Sequence, residues 1–310
     1  MREQPLDQDQ SRASAMHDLN AGPLARHSKA ESQTVASLKE LIRIPYAVVG
    51  LIVLLLLIFF AIASPYLTPY EYDRLDAMAA LQPPSWDHPF GTDLFGRDQL
   101  TRVLRGGRIS LMVGLVAVSI GTTIGLITGA VAGYRGGWID EIISRTYDIM
   151  LAFPGILLAL AIIAVLGPNL FNLMIAIGIG TVPAFGRLTR GQFLSLRGAD
   201  YVIAARTIGV SDVRILARHI LPNAMAPIIV LMTLSVAGAI LASAALNYLG
   251  LGASPPTPDW GLMLAESRNY IRHGWWLVLF PGVAIMITVI AINALGDGLR
   301  DAFDPWIREK

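Results

Sequence analysis

The sequence predicts an all-α integral membrane protein with six transmembrane helices, and three observations carry that prediction. The 310 residues are 54% hydrophobic and only 15% charged, where a soluble domain carries about a quarter charged, and the mean hydropathy is +0.55. The charges are segregated, leaving uncharged runs of 26 residues from Ile109 to Tyr134 and 38 from Ile149 to Gly186. Gly167-Pro168-Asn169 breaks the longer run into two lengths near the ~20 residues a helix needs to cross a bilayer.

Taken in order, residues 1–44 are rich in Gln, Asp, Ser, Ala and His, without apolar periodicity, and read as a disordered tail. Residues 45–67 form the first span. Ala61-Ile62-Ala63 inside it looks like a signal-peptidase site, but more than forty residues precede it, too many for a secretory leader, so the helix is expected to stay uncleaved. Residues 68–108 form a polar extracytoplasmic segment containing GTDLFGRD, Gly91 to Asp98. Asp93, Arg97 and Asp98 read either as a binding patch or as a turn, a cap and local ion pairs. The twelve-residue calcium loop is absent.

Residues 109–300 form a five-helix core. In its first span Gly121, Gly125, Gly129 and Gly133 recur every four residues, clearing one face for close backbone packing against this chain or a partner. Pro154 is expected to kink the third span, by packing or as a gate. The fifth span runs to about Leu249. The outer loop, 250–274, opens with a proline-stiffened crossing, and Trp275 and Trp276 suit a membrane interface before the sixth span. Residues 301–310 form a short tail.

The loop 187–223 is the informative piece. Its six arginines and two aspartates would cost about 20 kcal/mol to insert, against about 4–8 returned by its thirteen Leu, Ile, Val and Phe residues. It therefore stays in water. Asp200 is expected to N-cap a helix over Tyr201–Ile208 that Gly209 stops, and Ser211 or Asp212 to cap a second helix that Pro222 ends. Tyr201, Ala204, Ala205 and Ile208 share one face, with small residues at its centre. Either the loop lies on the bilayer or the chain's own helices, or it plugs into a cytosolic partner.

Six spans place both termini on one side. If that side is the cytoplasm, 17 Lys and Arg lie inside and 7 outside, as the positive-inside rule requires. Arg97, Arg102, Arg105 and Arg108 run against the trend.

The absences bound the mechanism. No ionisable residue lies in the core of a span, which disfavours an ion-coupled secondary transporter, the alternative of a different class. The lysines Lys29, Lys39 and Lys310 follow no phosphate-cradling glycine loop. The five histidines are scattered, so no catalytic, cofactor-binding or metal-ligating residue is expected. With no cysteine there is no disulfide or thiolate, and a net charge of +1 offers nucleic acid no basic face. Ser243, Asn247 and Asn293 are the polar groups of the late spans, available to line a solute path or to bond between helices.

Ala204-Ala205-x-x-x-Gly209 with Ile220-x-Pro222 resembles the cytoplasmic coupling loop of ATP-binding-cassette importer permeases. GTDLFGRD, Leu249-Gly250-x-Gly252 with Pro255-Pro256-x-Pro258-x-Trp260-Gly261, and the close at Gly296–Asp301 resemble the C-type permeases of peptide and nickel importers. That resemblance implies the type I importer permease fold in a bacterial inner membrane, both termini cytoplasmic, and a solute that is a di- or oligopeptide, a nickel chelate or glutathione. It implies a second, similar permease, two ATPase subunits that hold ATP-Mg, and an extracytoplasmic solute-binding protein. Coupling then falls to Asp200, Tyr201, Ala204, Ala205, Ile208, Gly209, Asp212 and Pro222. Ile203 stands where the family often has glutamate, which leaves open any polar contact from that position.

Overall fold

The computed structural model describes residues 40–303. The tail expected to be disordered falls almost wholly outside them. From Pro45 on, ten α-helices follow in order among these residues: α1 Pro45–Leu67, α2 Gln99–Arg135, α3 Gly137–Leu151, α4 Gly155–Leu166, α5 Leu170–Leu196, α6 Asp200–Thr207, α7 Asp212–Ile215, α8 Leu221–Tyr248, α9 Trp260–Ser267 and α10 Trp276–Phe303. Among the described residues there is no strand beyond a single bridge between Thr92 and Asp98. By length and composition α1, α2, α5, α8 with its α7 lead-in, and α10 can each cross a membrane. The bent pair α3–α4 raises the number to six if it counts as one span.

The organising contact is α2 on α5. The glycine stripe of α2 faces this chain, not a partner. A Cβ on Gly121 would lie 2.7 Å from the Gly178 carbonyl oxygen, and one on Gly133 2.7 Å from that of Arg190. With no side-chain layer between them, the two backbones meet directly. Val113, Ala117, Leu173, Ile177, Phe185, Ile228 and Leu246 continue the core between α2, α5 and α8. On the far side α1 rests on α10 through Gly50 and Gly298, and most of its apolar side chains face outward.

Three elements differ from expectation. The third span is broken, not kinked: α3 and α4 meet at 95° across residues 152–154. Pro154 has no N–H to donate and keeps Phe153 out of the helical region, so the chain turns. The 12 residues of α4 reach only about 18 Å, short of a bilayer on their own. Helix α2 begins at Gln99, ten residues before the uncharged run, because Asp98 caps it by accepting from the Thr101 N–H at 2.8 Å. And Pro222 ends nothing. The helix continues from Asp212 through a π turn, Leu216–Ile220, into α8, and that wider turn directly before Pro222 is where the hydrogen-bond ladder makes room for a residue without an N–H.

Candidate functional site

The short helix α6 stands off the bundle at the foot of α5. Its cap differs from expectation. Ala199 is the N-cap residue and offers no side-chain bond, while exposed Asp200 is the first helical residue. There the carboxylate still faces the positive end of the helix. Ile203 is consequently the fourth residue of the helix, not the third, and stands half exposed. The stop is as expected in kind. Gly209 takes φ +82°, its N–H donates to the Arg206 carbonyl at 3.0 Å, and the Val210 N–H donates to that of Ala205 at 3.1 Å. These are the two bonds of a Schellman close, which needs a residue free to adopt positive φ.

The expected face is split. Ala205 turns inward with Val202 onto Ile215 and Ile220, because an eight-residue helix can hold its place only by burying something. Tyr201, Ala204 and Ile208 turn outward, joined by Ile203 and by Val213 of α7. Ile208 is 80% exposed and Val213 77%. These apolar side chains project from a segment too charged to enter lipid. Ser211 is the N-cap residue of α7 without a side-chain bond, and Asp212 accepts a hydrogen bond from the Tyr134 hydroxyl of α2. Two ion pairs fix the surroundings, Arg190 with Asp140 and Arg187 with Asp148 at 2.6 Å, both tying α3 to α5.

At the opposite end of the bundle lies a second built region that the sequence did not disclose as a unit. Arg97 and Arg102, 2% and 1% exposed, both reach Glu266 at the end of α9, at 3.3 and 3.2 Å, while Asp93 pairs with Arg97. Arg102 also donates to the carbonyls of Tyr72 and Pro256. These contacts satisfy guanidiniums whose burial would otherwise be prohibitive. Asp98 accepts from Thr101, and His88 lies 2.9 Å from it. The Trp276 indole donates to the Thr92 carbonyl, so Trp276 is buried and only Trp275 faces outward. The expected interface pair is thus divided.

The start of α9 is held as firmly. Asp259 accepts from the backbone N–H of Gly261 and Leu262, from Ser110 of α2 at 2.9 Å and from Asn247 of α8 at 2.8 Å. Burial pushes its carboxyl above the usual carboxylate range, and these donors pull it back in part. Asn247 also donates to Ser243 at 3.3 Å and accepts from the Ala253 N–H. Ser243 and Asn247 therefore sit in this buried network, and half-buried Asn293 lies apart from them on α10.

Between α4, α5 and α8 opens a cavity of about 410 Å³ lined by Gly155, Ala176, Gly180, Thr181, Ser235 and Gly238, among others. Sequence reasoning passed over it. The one available signal was the glycines of α5 and α8 outside the α2 stripe: a Cβ at Gly180 or Gly238 would meet nothing within 4 Å. Among the described residues no group of His, Asp and Glu is placed to hold a metal.

Residues 121–309 match the family described as binding-protein-dependent transport system inner membrane component, and residues 32–84 the N-terminal transmembrane domain of oligopeptide transport permease C. The chain is 50% identical to the dipeptide transport system permease protein DppC of Alkalihalophilus pseudofirmus, over 93% of this chain and 95% of that one. It is 44% identical to the glutathione transport system permease protein GsiD of Escherichia coli, over 94% and 96%. In fold it is similar to a chain of the inward-facing MetNI methionine ABC transporter, with a TM-score of 0.54 and 20% identity over 65% of this chain and 96% of that one.

Proposed function

Because the chain belongs to the family of binding-protein-dependent transport system inner membrane components, multi-pass permease subunits of ABC importers, we propose that it carries di- or oligopeptides inward with a separate ATPase as motor. The similarity to a dipeptide permease along nearly the whole chain supports that solute class. The glutathione permease is matched at similar coverage and lower identity, so a tripeptide such as glutathione is the second reading.

The observation that carries the mechanism is the outward apolar face of α6 and α7. Tyr201, Ala204, Ile208 and Val213 stand exposed on a charged loop where neither lipid nor this chain covers them. On our reading the loop is cytoplasmic, both termini lie with it, and the face seats in an ATPase subunit that holds ATP-Mg. Three of the four outer arginines that run against the positive-inside count are engaged within the chain: Arg97 and Arg102 lie in buried ion pairs, and Arg105 stands 4.4 Å from the Tyr72 ring. A second, similar permease completes the pore, and the cavity beside Gly180 and Gly238 is this chain's share of the path. A binding protein delivers solute to the outer face. When ATP closes the ATPase pair, α6 and α7 move with it and the bundle exchanges inward-open for outward-open.

The test uses the absence of cysteine from the sequence. Ile208→Cys makes a single-cysteine chain whose label reports one site. In the assembled transporter a short bifunctional maleimide should join it to a cysteine introduced in the ATPase surface. Failure to crosslink in an ATP-hydrolysing assembly would sink the coupling assignment.

A further inference from the structure

We propose that Tyr134 is a positioning residue that hands the movement of the coupling loop to α2, through the hydrogen bonds it makes to Asp212 and Arg206. The inference rests on the reading of α6–α7 as the coupling loop and assigns the contact by which that loop acts on the bundle.

Tyr134 lies in the last turn of α2, whose closing residue Gly136 has φ +65° and donates to the Ala132 carbonyl at 3.0 Å. That turn presents the negative end of a 37-residue helix. Three side chains of the loop converge on it. Arg197, just ahead of α6, donates to the Gly133 carbonyl at 3.2 Å. Arg206, near the end of α6, donates to the Tyr134 hydroxyl at 3.3 Å and holds its guanidinium 5.9 Å from the ring centre. The same hydroxyl donates to Asp212 at the start of α7. One phenol thus joins the end of the first short helix to the beginning of the second, across the Gly209 turn.

Among the described residues, Tyr134 is the side chain through which α6 and α7 hydrogen-bond to a spanning helix, and the other polar side-chain bond inside α6 is Thr207 back to Ile203. Packing does not replace it, since α6 leans chiefly on α7 and makes no extended interface with a span. Along the chain, α6 connects upstream to α5 and downstream through the π turn to α8. Without Tyr134, α2 would feel α6 and α7 only by way of α5 and the Arg197 bond at its end. With it, a push enters a continuous helix about 55 Å long whose far end carries Arg102 and Ser110, the residues that hold Glu266 and Asp259 at the two ends of α9.

The test uses the whole transporter in nanodiscs, with its second permease, ATPase subunits and binding protein. The readout is the ratio of ATP hydrolysis with binding protein to hydrolysis without it, which needs no solute identity. Tyr134→Phe keeps the ring and removes the hydroxyl. The stimulation ratio should fall about fivefold, while basal hydrolysis and the thermal midpoint stay at wild-type values. Tyr134→Phe with Asp212→Ala should fall no further than Tyr134→Phe alone, since without the hydroxyl the carboxylate has no bond to α2 left to lose. An unchanged ratio, or a loss that tracks loss of assembled complex, overturns the proposal. The Ile208→Cys crosslink separates the two levels. If it forms and Tyr134→Phe is silent, only this inference fails. If it never forms, the coupling reading beneath it fails too.

Discussion

The seam between α2 and α5 allows a sharp stability prediction. Replacing Gly129 with Ala would put a Cβ 2.4 Å from the Gly186 carbonyl oxygen, and replacing Gly125 would put one 2.6 Å from the Phe185 Cβ and 2.8 Å from the Gly186 nitrogen. Ordinary contact begins near 3.5 Å, so each methyl is short of room by about 1 Å. The obstructing atoms are backbone or Cβ, and no rotamer change relieves them. The helices must part, and overpacking of this kind costs about 1–3 kcal/mol. Because both substitutions open one seam, the double variant should lose less than the sum. Gly180→Ala and Gly238→Ala are the controls, since their Cβ atoms meet nothing within 4 Å and alanine is the better helix former by about 1 kcal/mol. The measurement is the thermal midpoint of the detergent-purified assembly, followed by size-exclusion fluorescence. Gly125→Ala and Gly129→Ala should lower it by about 2–10 °C, and the controls should leave it unchanged or raise it. If Gly129→Ala melts with the wild type, the direct backbone contact is wrong.

Gly209→Val should uncouple ATP hydrolysis from uptake in proteoliposomes. Its Cβ has open space, but φ +82° costs a side-chain-bearing residue about 1–2 kcal/mol, and Gly209→Asn should retain most coupling. A wild-type ratio of uptake to hydrolysis in the valine variant, at normal expression, would contradict this. Arg102→Met leaves Asp93 and Glu266 to Arg97 alone and takes the donor from the Tyr72 and Pro256 carbonyls, which should cost about 2–3 kcal/mol, whereas Arg105→Ala, losing its place over the Tyr72 ring, should cost at most about 1 kcal/mol. Yield of folded protein and midpoint distinguish them. Asp259 titrates above the ordinary carboxylate range in the folded protein, so the native state holds a proton that the unfolded chain has released. Its contribution is therefore present at low pH and lost as pH rises from about 4 through the folded value. Asp259→Asn should flatten the stability profile across that window, and parallel profiles would refute the assignment.

What the sequence disclosed and what it hid divide along physical lines. The stop at Gly209 was legible because a left-handed helix close leaves glycine almost alone as a candidate. The glycine stripe of α2 showed that a backbone would come close, but periodicity carries no information about whose, and α5 supplied the answer. Pro154 and Pro222 look alike in sequence. One breaks a span and the other is passed by a continuous helix, because the π turn just ahead of Pro222 lets the ladder accommodate a residue without an N–H. The cap at Asp200 failed by one residue because Val202 and Ala205 had to reach Ile215 and Ile220, a tertiary demand that outweighs a cap worth about 1 kcal/mol. The outer network was hidden for another reason. Arg97 and Glu266 lie 169 residues apart, and the local pattern around Arg97, which offered a binding patch or local ion pairs, carries no sign of a partner that distant.

The π turn at Leu216–Ile220, where the Leu221 N–H donates back to the Leu216 carbonyl, has a consequence for how the two halves of this long helix are aligned. One surplus residue in the turn leaves everything before it about 100° short of where a regular helix would bring it. The azimuth of Asp212 relative to α8 is thus set by a single amino acid, like one tooth on a gear. Deleting one residue from that turn would leave every side chain in place by name, yet swing the carboxylate to a different quarter of the compass from the phenol that awaits it.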